Sequence, residues 1–221
     1  MTRPPVINAD EGDTDLRLLD ARDLESFAAG HAPGAVRVPV ENWVTAARTP
    51  EGDFANTGLW TDAINALGIG PEGVAGVYDD GRMTEAARVW FILQYFGVPA
   101  VIVNGGWAAV KSAGLTGVDP DARPRVLQPG TGGVGLMDRT QLKGALDRQT
   151  IFDARTGAEH RGQDLKANSR GGRLPGAVLL PHADLLDGTH LRPPDDLRAR
   201  LTAAGFTPGA PITTHCDGGG R

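Results

Sequence analysis

An internal repeat constrains this chain more than any other feature of its sequence. The run Leu18–Arg22 (LLDAR) recurs as Ile151–Arg155 (IFDAR), and Pro33–Val36 recurs as Pro175–Val178, with PGAV in both places. Asp20 and Asp153 of the first motif are 133 positions apart, and the two PGAV motifs are 142 positions apart. The second copy therefore carries about nine additional residues between its motifs. Two similar halves in 221 residues predict two related domains of about 110 residues each.

The stretch between the two copies is rich in proline and glycine and shows neither helical nor strand periodicity. Such a stretch is typical of a linker. We therefore predict an N-terminal domain over residues 1–118, a linker over residues 119–135 and a C-terminal domain over residues 136–221.

Short β-rich runs alternate with helical patterns in each half, and several runs are continuously apolar, as in a parallel sheet covered on both faces. In the first half the predicted strands are 16–20, 35–38, 74–78 and 100–103, with a helix over 83–96 that Gly97 ends. In the second half they are 150–153, 177–180 and 211–215, with helices over 138–146 and 195–204. The pattern predicts an α/β fold in which each domain has a mostly parallel central sheet flanked by helices.

Composition narrows the functional classes. The net charge of −5, with charges of both signs interspersed, does not favour a nucleic-acid partner. Because no run of about 18 apolar residues occurs and the N-terminus lacks a signal-peptide core, we predict a cytoplasmic protein without membrane contact. The single cysteine, Cys216, excludes an internal disulfide and a thiolate-rich zinc site, and no cofactor is indicated. Four of the five histidines lack the spacing of metal ligands, which favours surface or capping roles for them. They are His31, His160, His182 and His190.

Cys216 lies where the last predicted strand enters a glycine-rich loop. The three glycines Gly218, Gly219 and Gly220 allow consecutive backbone amides to point inward as an anion-binding nest. Arg221 adds a positive charge that would favour the thiolate, and Asp217 opposes it. The loop alone leaves two interpretations equally open, a reactive cysteine or a structural one.

The first copy of the repeat favours the reactive interpretation. At the matching strand end it has Asp79, in the sequence Val77–Arg82 (VYDDGR), and an aspartate cannot perform thiol chemistry. A duplicated scaffold with a cysteine in one copy only indicates a single active site at Cys216.

Taken together, these motifs resemble the tandem-domain rhodanese family of thiosulfate and 3-mercaptopyruvate sulfurtransferases. The resemblance covers nearly the whole chain, and its matching segments are 18–22, 25–35, 77–79, 104–107, 172–177 and the cysteine loop. It implies two rhodanese-like domains and a catalytic Cys216 that accepts a sulfane sulfur as a persulfide and passes it to cyanide or a thiol. The persulfide would bind among the amides of Asp217, Gly218, Gly219, Gly220 and Arg221.

Three departures from the family pattern accompany the resemblance. The helix expected after Arg221 is missing, which predicts a truncated second domain that an associated C-terminal fragment would complete. Only Glu11–Asp15 separates Asn8–Asp10 from the first predicted strand, where the second copy has the predicted helix over 138–146. Arg173 stands where the family often has histidine. Together with Arg161 and Arg170 in the enlarged segment, Arg173 is a candidate for binding an anionic sulfur donor.

Other functions and roles were weighed on the same residues. A non-catalytic sulfur-carrier or regulatory rhodanese module is the alternative to an enzyme. A cysteine phosphatase or arsenate reductase is disfavoured, because their loops place five residues between cysteine and arginine, whereas this loop has four. Structural roles are predicted for the motif residues Asp20, Arg22, Asp153 and Arg155, and packing roles for Trp43, Trp60, Trp90 and Trp107.

Overall fold

The buried runs of the sequence form parallel strands in a computed structural model that describes residues 3–11 and 15–221. Contacts divide the chain into two units, residues 1–136 and 137–221. In each unit the strands of the parallel sheet end at a common sheet edge, because they run in one direction. Helices and loops that follow the strands therefore meet at that edge.

The first unit contains a five-stranded sheet in the order β1-β5-β4-β2-β3, with every neighbouring pair parallel. Its strands are β1 (Val6–Asn8), β2 (Leu16–Asp20), β3 (Val36–Arg37), β4 (Val74–Tyr78) and β5 (Ala100–Asn104). Its helices are α1 (Leu24–Ala29), α2 (Val40–Ala46), α3 (Thr57–Asn65), α4 (Thr84–Tyr95) and α5 (Gly106–Ala113). Strand β2 is buried along its whole length, as expected for a strand covered on both faces.

The second unit contains a three-stranded parallel sheet in the order β10-β6-β7 and a separate antiparallel hairpin of β8 and β9. Its strands are β6 (Thr150–Asp153), β7 (Val178–Leu179), β8 (Leu186–Asp187), β9 (His190–Leu191) and β10 (Ile212–His215). Its helices are α6 (Arg139–Lys143), α7 (Gly157–His160) and α8 (Pro194–Ala203). Ile151 and Phe152 of the central strand β6 are its most buried apolar residues.

The α/β fold with parallel sheets and flanking helices is confirmed, and strands β2, β4 and β6 have the predicted bounds. The predicted helix over 138–146 is wrong in length. It covers only Arg139–Lys143, begins at the capping residue Asp138 and ends at Gly144, a residue that costs helix stability through its backbone entropy. Strand β1 was not predicted, because three residues at a sheet edge carry almost no periodic signal. Of the short segment Glu11–Asp15, residues 12–14 lie outside the described residues.

Residues of the predicted linker, 119–135, form hydrogen bonds with the first unit. The Asn65 side chain exchanges hydrogen bonds with the backbone of Arg125. The amide of Gly130 donates to the carbonyl of Tyr95 at 2.8 Å. These bonds explain why the first unit extends to residue 136.

Candidate active site

The cysteine loop begins at the carboxyl edge of the second sheet. His215, the last residue of β10, pairs with Asp153, the last residue of β6. In the first unit, Tyr78 at the end of β4 pairs with Asp20 at the end of β2. Cys216 and Asp79 therefore follow equivalent strand ends in the two sheets.

Cys216 is a free, half-buried thiol whose Sγ accepts a hydrogen bond from the amide of Gly219 at 2.9 Å. Gly219 has φ +75°, a left-handed conformation that favours glycine. Gly220 is buried and Gly218 is exposed. Asp217 is exposed and accepts a hydrogen bond from Nδ2 of Asn168 at 2.7 Å.

Arg221 contacts a buried carboxylate. Its Nη1 and Nη2 donate to Oε2 and Oε1 of Glu159, each at 2.9 Å. The Arg221 guanidinium lowers the pKa of Glu159 to about 2, against the opposing effect of burial. The Arg221 guanidinium, which the sequence predicts to favour the thiolate, therefore forms a bidentate ion pair with Glu159.

A buried polar cluster lies beneath the loop, centred on Asp153. The carboxylate accepts from Nε of Arg155 at 2.9 Å and lies 2.9 Å from Nδ1 of His160. Burial raises the pKa of Asp153, but the hydrogen bonds from Arg155 and His160 outweigh it and hold that pKa below its ordinary value. His215 lies 3.8 Å from the same carboxylate through Nε2, and burial lowers the pKa of its imidazole.

The predicted ion pairs of the repeat motif are confirmed: Arg155 binds Asp153, and Arg22 binds Asp20. The surface or capping role predicted for His160 is wrong, because its side chain is buried against Asp153. Its helix was too short for the sequence pattern to show which face is buried.

The arginines of the enlarged segment lie at the surface. Arg173 is exposed, and so are Arg161 and Arg170. Within the described residues, no hydrogen bond or ion pair links Arg173 to the cysteine loop. Cys216 is therefore hydrogen-bonded to Gly219 and Arg221 to Glu159, whereas Arg173 lies at the surface.

Sequence reasoning missed Glu159, the partner of Arg221. A signal for it exists: Thr156 and Glu159 have the spacing of a capping box, in which a threonine and a glutamate three residues later exchange hydrogen bonds. That signal predicts the start of helix α7. It contains nothing about the arginine 62 residues further along the chain.

No group of three or more His, Cys, Asp or Glu side chains is arranged to hold a metal ion in residues 3–11 and 15–221. Across the same residues, no helix has the length and apolar character needed to span a membrane.

Comparisons with known proteins agree with this architecture. The family described as Rhodanese-like domain matches residues 7–113. Thiosulfate sulfurtransferase of Azotobacter vinelandii is 32% identical over 220 residues, which cover 92% of this chain and 77% of that protein. A Pseudomonas aeruginosa protein named "Probable 3-mercaptopyruvate sulfurtransferase" is 32% identical over 213 residues, covering 86% and 73%.

A solved structure shows the same fold. The crystal structure of a 3-mercaptopyruvate sulfotransferase from Escherichia coli matches with a TM-score of 0.76 at 23% identity, over 98% of this chain and 90% of that one. The sequence relatives, which this chain matches over most of their length, carry the family assignment. With a lone cysteine at the strand end and a shared fold, the chain belongs to the rhodanese family of sulfurtransferases.

Proposed function

We propose that this protein moves a sulfane sulfur from thiosulfate or 3-mercaptopyruvate to cyanide or a thiol, through a persulfide on Cys216. The observation that carries the proposal is the Cys216 Sγ at the carboxyl edge of its sheet, half-buried and bonded to the Gly219 amide. An amide donor aimed at sulfur stabilises the anionic thiolate and persulfide that the reaction requires.

The chemistry consists of two displacements at sulfur. In the first, the Cys216 thiolate attacks the outer sulfur of thiosulfate, an S–S bond forms, and sulfite leaves with the electron pair of the broken S–S bond. With 3-mercaptopyruvate, a C–S bond breaks instead, and pyruvate leaves after taking up a proton. In the second, cyanide or a thiolate attacks the terminal sulfur of the persulfide, and the electron pair returns to Cys216.

Two rhodanese-like domains account for the repeat. Equivalent strand registers support the view that residues 1–118 form an inactive copy with Asp79 at the cysteine position. Residues 136–221 would then form the catalytic copy, and residues 119–135 connect the two. That this second domain is incomplete stays a prediction, and the mass of the purified polypeptide tests it. The cytoplasmic location is also a prediction, which cell fractionation tests.

The loop from Asp217 to Arg221 is the proposed donor-binding segment. Its backbone amides can donate hydrogen bonds to the anionic sulfur of the donor. The Arg221 side chain forms an ion pair with Glu159 of helix α7. Arg173 stays a predicted donor-binding residue from the sequence. A raised KM for thiosulfate in Arg173→Ala, with kcat unchanged, would support that role.

Intact-mass spectrometry after incubation with thiosulfate or 3-mercaptopyruvate tests the proposal. The wild-type protein is expected to gain one sulfur atom and to lose it when cyanide is added. Cys216→Ser is the control and should gain none. Wild-type protein that stays unmodified with both donors would overturn the proposed function.

A further inference from the structure

We propose, resting on the function proposed above, that Glu159 is a positioning residue for sulfur transfer. By binding Arg221, it fixes the far end of the cysteine loop and so keeps the Gly219 amide on Sγ. Glu159 itself lies on another element and is not a hydrogen-bond partner of the sulfur.

Glu159 is held rigidly before it reaches Arg221. It is the third residue of helix α7, and its Oε2 accepts from the backbone amide of Thr156 at 2.9 Å and from the Thr156 hydroxyl at 2.8 Å. Its side chain is only 2% exposed, compared with 27% for Arg221. A carboxylate fixed by its own capping box is a firm support for a mobile arginine side chain.

The same segment anchors both ends of the cysteine loop. At the start, the amide of Ala154 donates to the carbonyl of His215 at 2.9 Å. At the end, Glu159 binds Arg221. Glycine backbones have more accessible conformations than other residues, so two fixed ends restrict where the Gly219 amide can point.

The inactive copy shows that the fold does not need this ion pair. Counted from the paired strand ends, Ser26 occupies the position of Glu159, and Thr84 occupies the position of Arg221. Ser26 donates instead to the capping residue Asp23 at 2.8 Å. By contrast, the aspartate–arginine pair after the central strand occurs in both copies. The glutamate–arginine pair therefore accompanies the cysteine rather than the scaffold.

A double-mutant cycle tests the proposal on the full chain with Glu159→Gln, Arg221→Gln and the double variant. Each single variant is expected to lower the rate of sulfur loading onto Cys216 by about tenfold or more, because small displacements of a reacting group carry large rate penalties. The double variant should be no more than about threefold slower than the slower single variant, since both remove one contact. Rate effects that multiply in the double variant would overturn the proposal, as would wild-type rates in either single variant.

Controls separate positioning from folding and from the proposed function. Ser26→Ala, at the equivalent position of the first unit, should load sulfur at the wild-type rate. If Glu159→Gln fails to fold by circular dichroism, Arg221→Gln removes the same contact from its more exposed side and decides the outcome. If wild-type protein gains no sulfur, the proposed function fails; the cycle is then measured as Cys216 alkylation by iodoacetamide, where the single variants should be slower and their effects again non-multiplicative.

Discussion

Two loops follow equivalent strand ends in this chain, and they treat negative charge in opposite ways. After β4, the Asp79 carboxylate is buried and accepts four backbone amide hydrogen bonds at 2.8–3.1 Å, from Gly81, Met83, Glu85 and Ala86. After β10, the half-buried Cys216 sulfur accepts from the Gly219 amide. In the first loop a carboxylate of the same loop occupies the backbone amides, whereas in the second the Gly219 amide donates to a sulfur that is only half-buried.

The surroundings differ in the same direction. Both units keep an ion pair between the aspartate at the end of the central strand and the arginine two residues later. At the positions where the first unit has Phe27 and Tyr78, counted from the paired strand ends, the second unit has His160 and His215. The scaffold therefore accepts either pair of side chains. In the copy with the cysteine, the two imidazoles lie near the buried carboxylate of Asp153.

The largest effect is expected when the thiol is moved from the second unit to the first. Asp79→Cys in a Cys216→Ala background is expected to load sulfur at least about a hundredfold more slowly than wild-type Cys216. The reason is that Ser26 and Thr84 occupy the positions where the second copy has the ion pair of Glu159 and Arg221. Intact mass over time with thiosulfate measures the rate, with Cys216→Ala alone as the blank. Loading at a wild-type rate would mean that the strand end suffices and that the surrounding side chains do not matter.

The stability of the first unit provides the next test. Asp79→Ala should lower its free energy of unfolding by about 2–4 kcal/mol, because four buried amides lose their acceptor together. All four tryptophans lie in this unit, so urea denaturation followed by tryptophan fluorescence reports on it. The neighbouring Asp80→Ala is the matched control and should cost about 1 kcal/mol or less, since Asp80 binds Arg82 at the surface. Equal losses for both variants would contradict the buried role of Asp79.

A smaller effect is expected from acid. Arg221 lowers the pKa of Glu159 from 4.5 to about 2, so the folded state favours the ionised carboxylate. The stabilisation is fully present above the unfolded pKa and is lost as pH falls through the folded one. The difference in melting temperature between wild type and Glu159→Gln should therefore be constant near neutral pH and shrink between about pH 4.5 and about pH 2. A difference that is independent of pH over that window would show that the ion pair does not stabilise the fold.

The solvent-exposed contact of the cysteine loop should have the smallest effect. Asn168→Ala removes the exposed hydrogen bond to Asp217 and is expected to change the sulfur-loading rate by less than about threefold, because exposed polar pairs contribute little. Asn65→Ala, which removes two side-chain hydrogen bonds in the other unit, serves as a control in the same mass assay. A tenfold loss in Asn168→Ala alone would move Asn168 into the group of residues that shape the loop.

Much of the architecture was predictable because it depends on local patterns. Short β-rich runs identified β2, β4 and β6, and helical spacing identified α4. The short edge strand β1 and the early end of helix α6 were not predictable, since three residues carry little periodicity and Gly144 ends a helix whose pattern continues. At the site, the sequence identified Cys216 and its glycine loop as candidates, but it did not show that the Arg221 side chain forms an ion pair with Glu159.

The amino-acid sequence alone shows that the chain contains a duplicated motif, that aspartate follows the strand in one copy and cysteine in the other, and that glycines follow the cysteine. These features are readable because they depend on residue identity and on spacing over a few positions. The contacts between these groups depend on the tertiary structure. They are the Arg221–Glu159 ion pair, the imidazoles near Asp153 and the backbone amides that donate to Asp79. Parallel strands bring residues about 60 positions apart to one sheet edge, and local periodicity carries no information about such pairings.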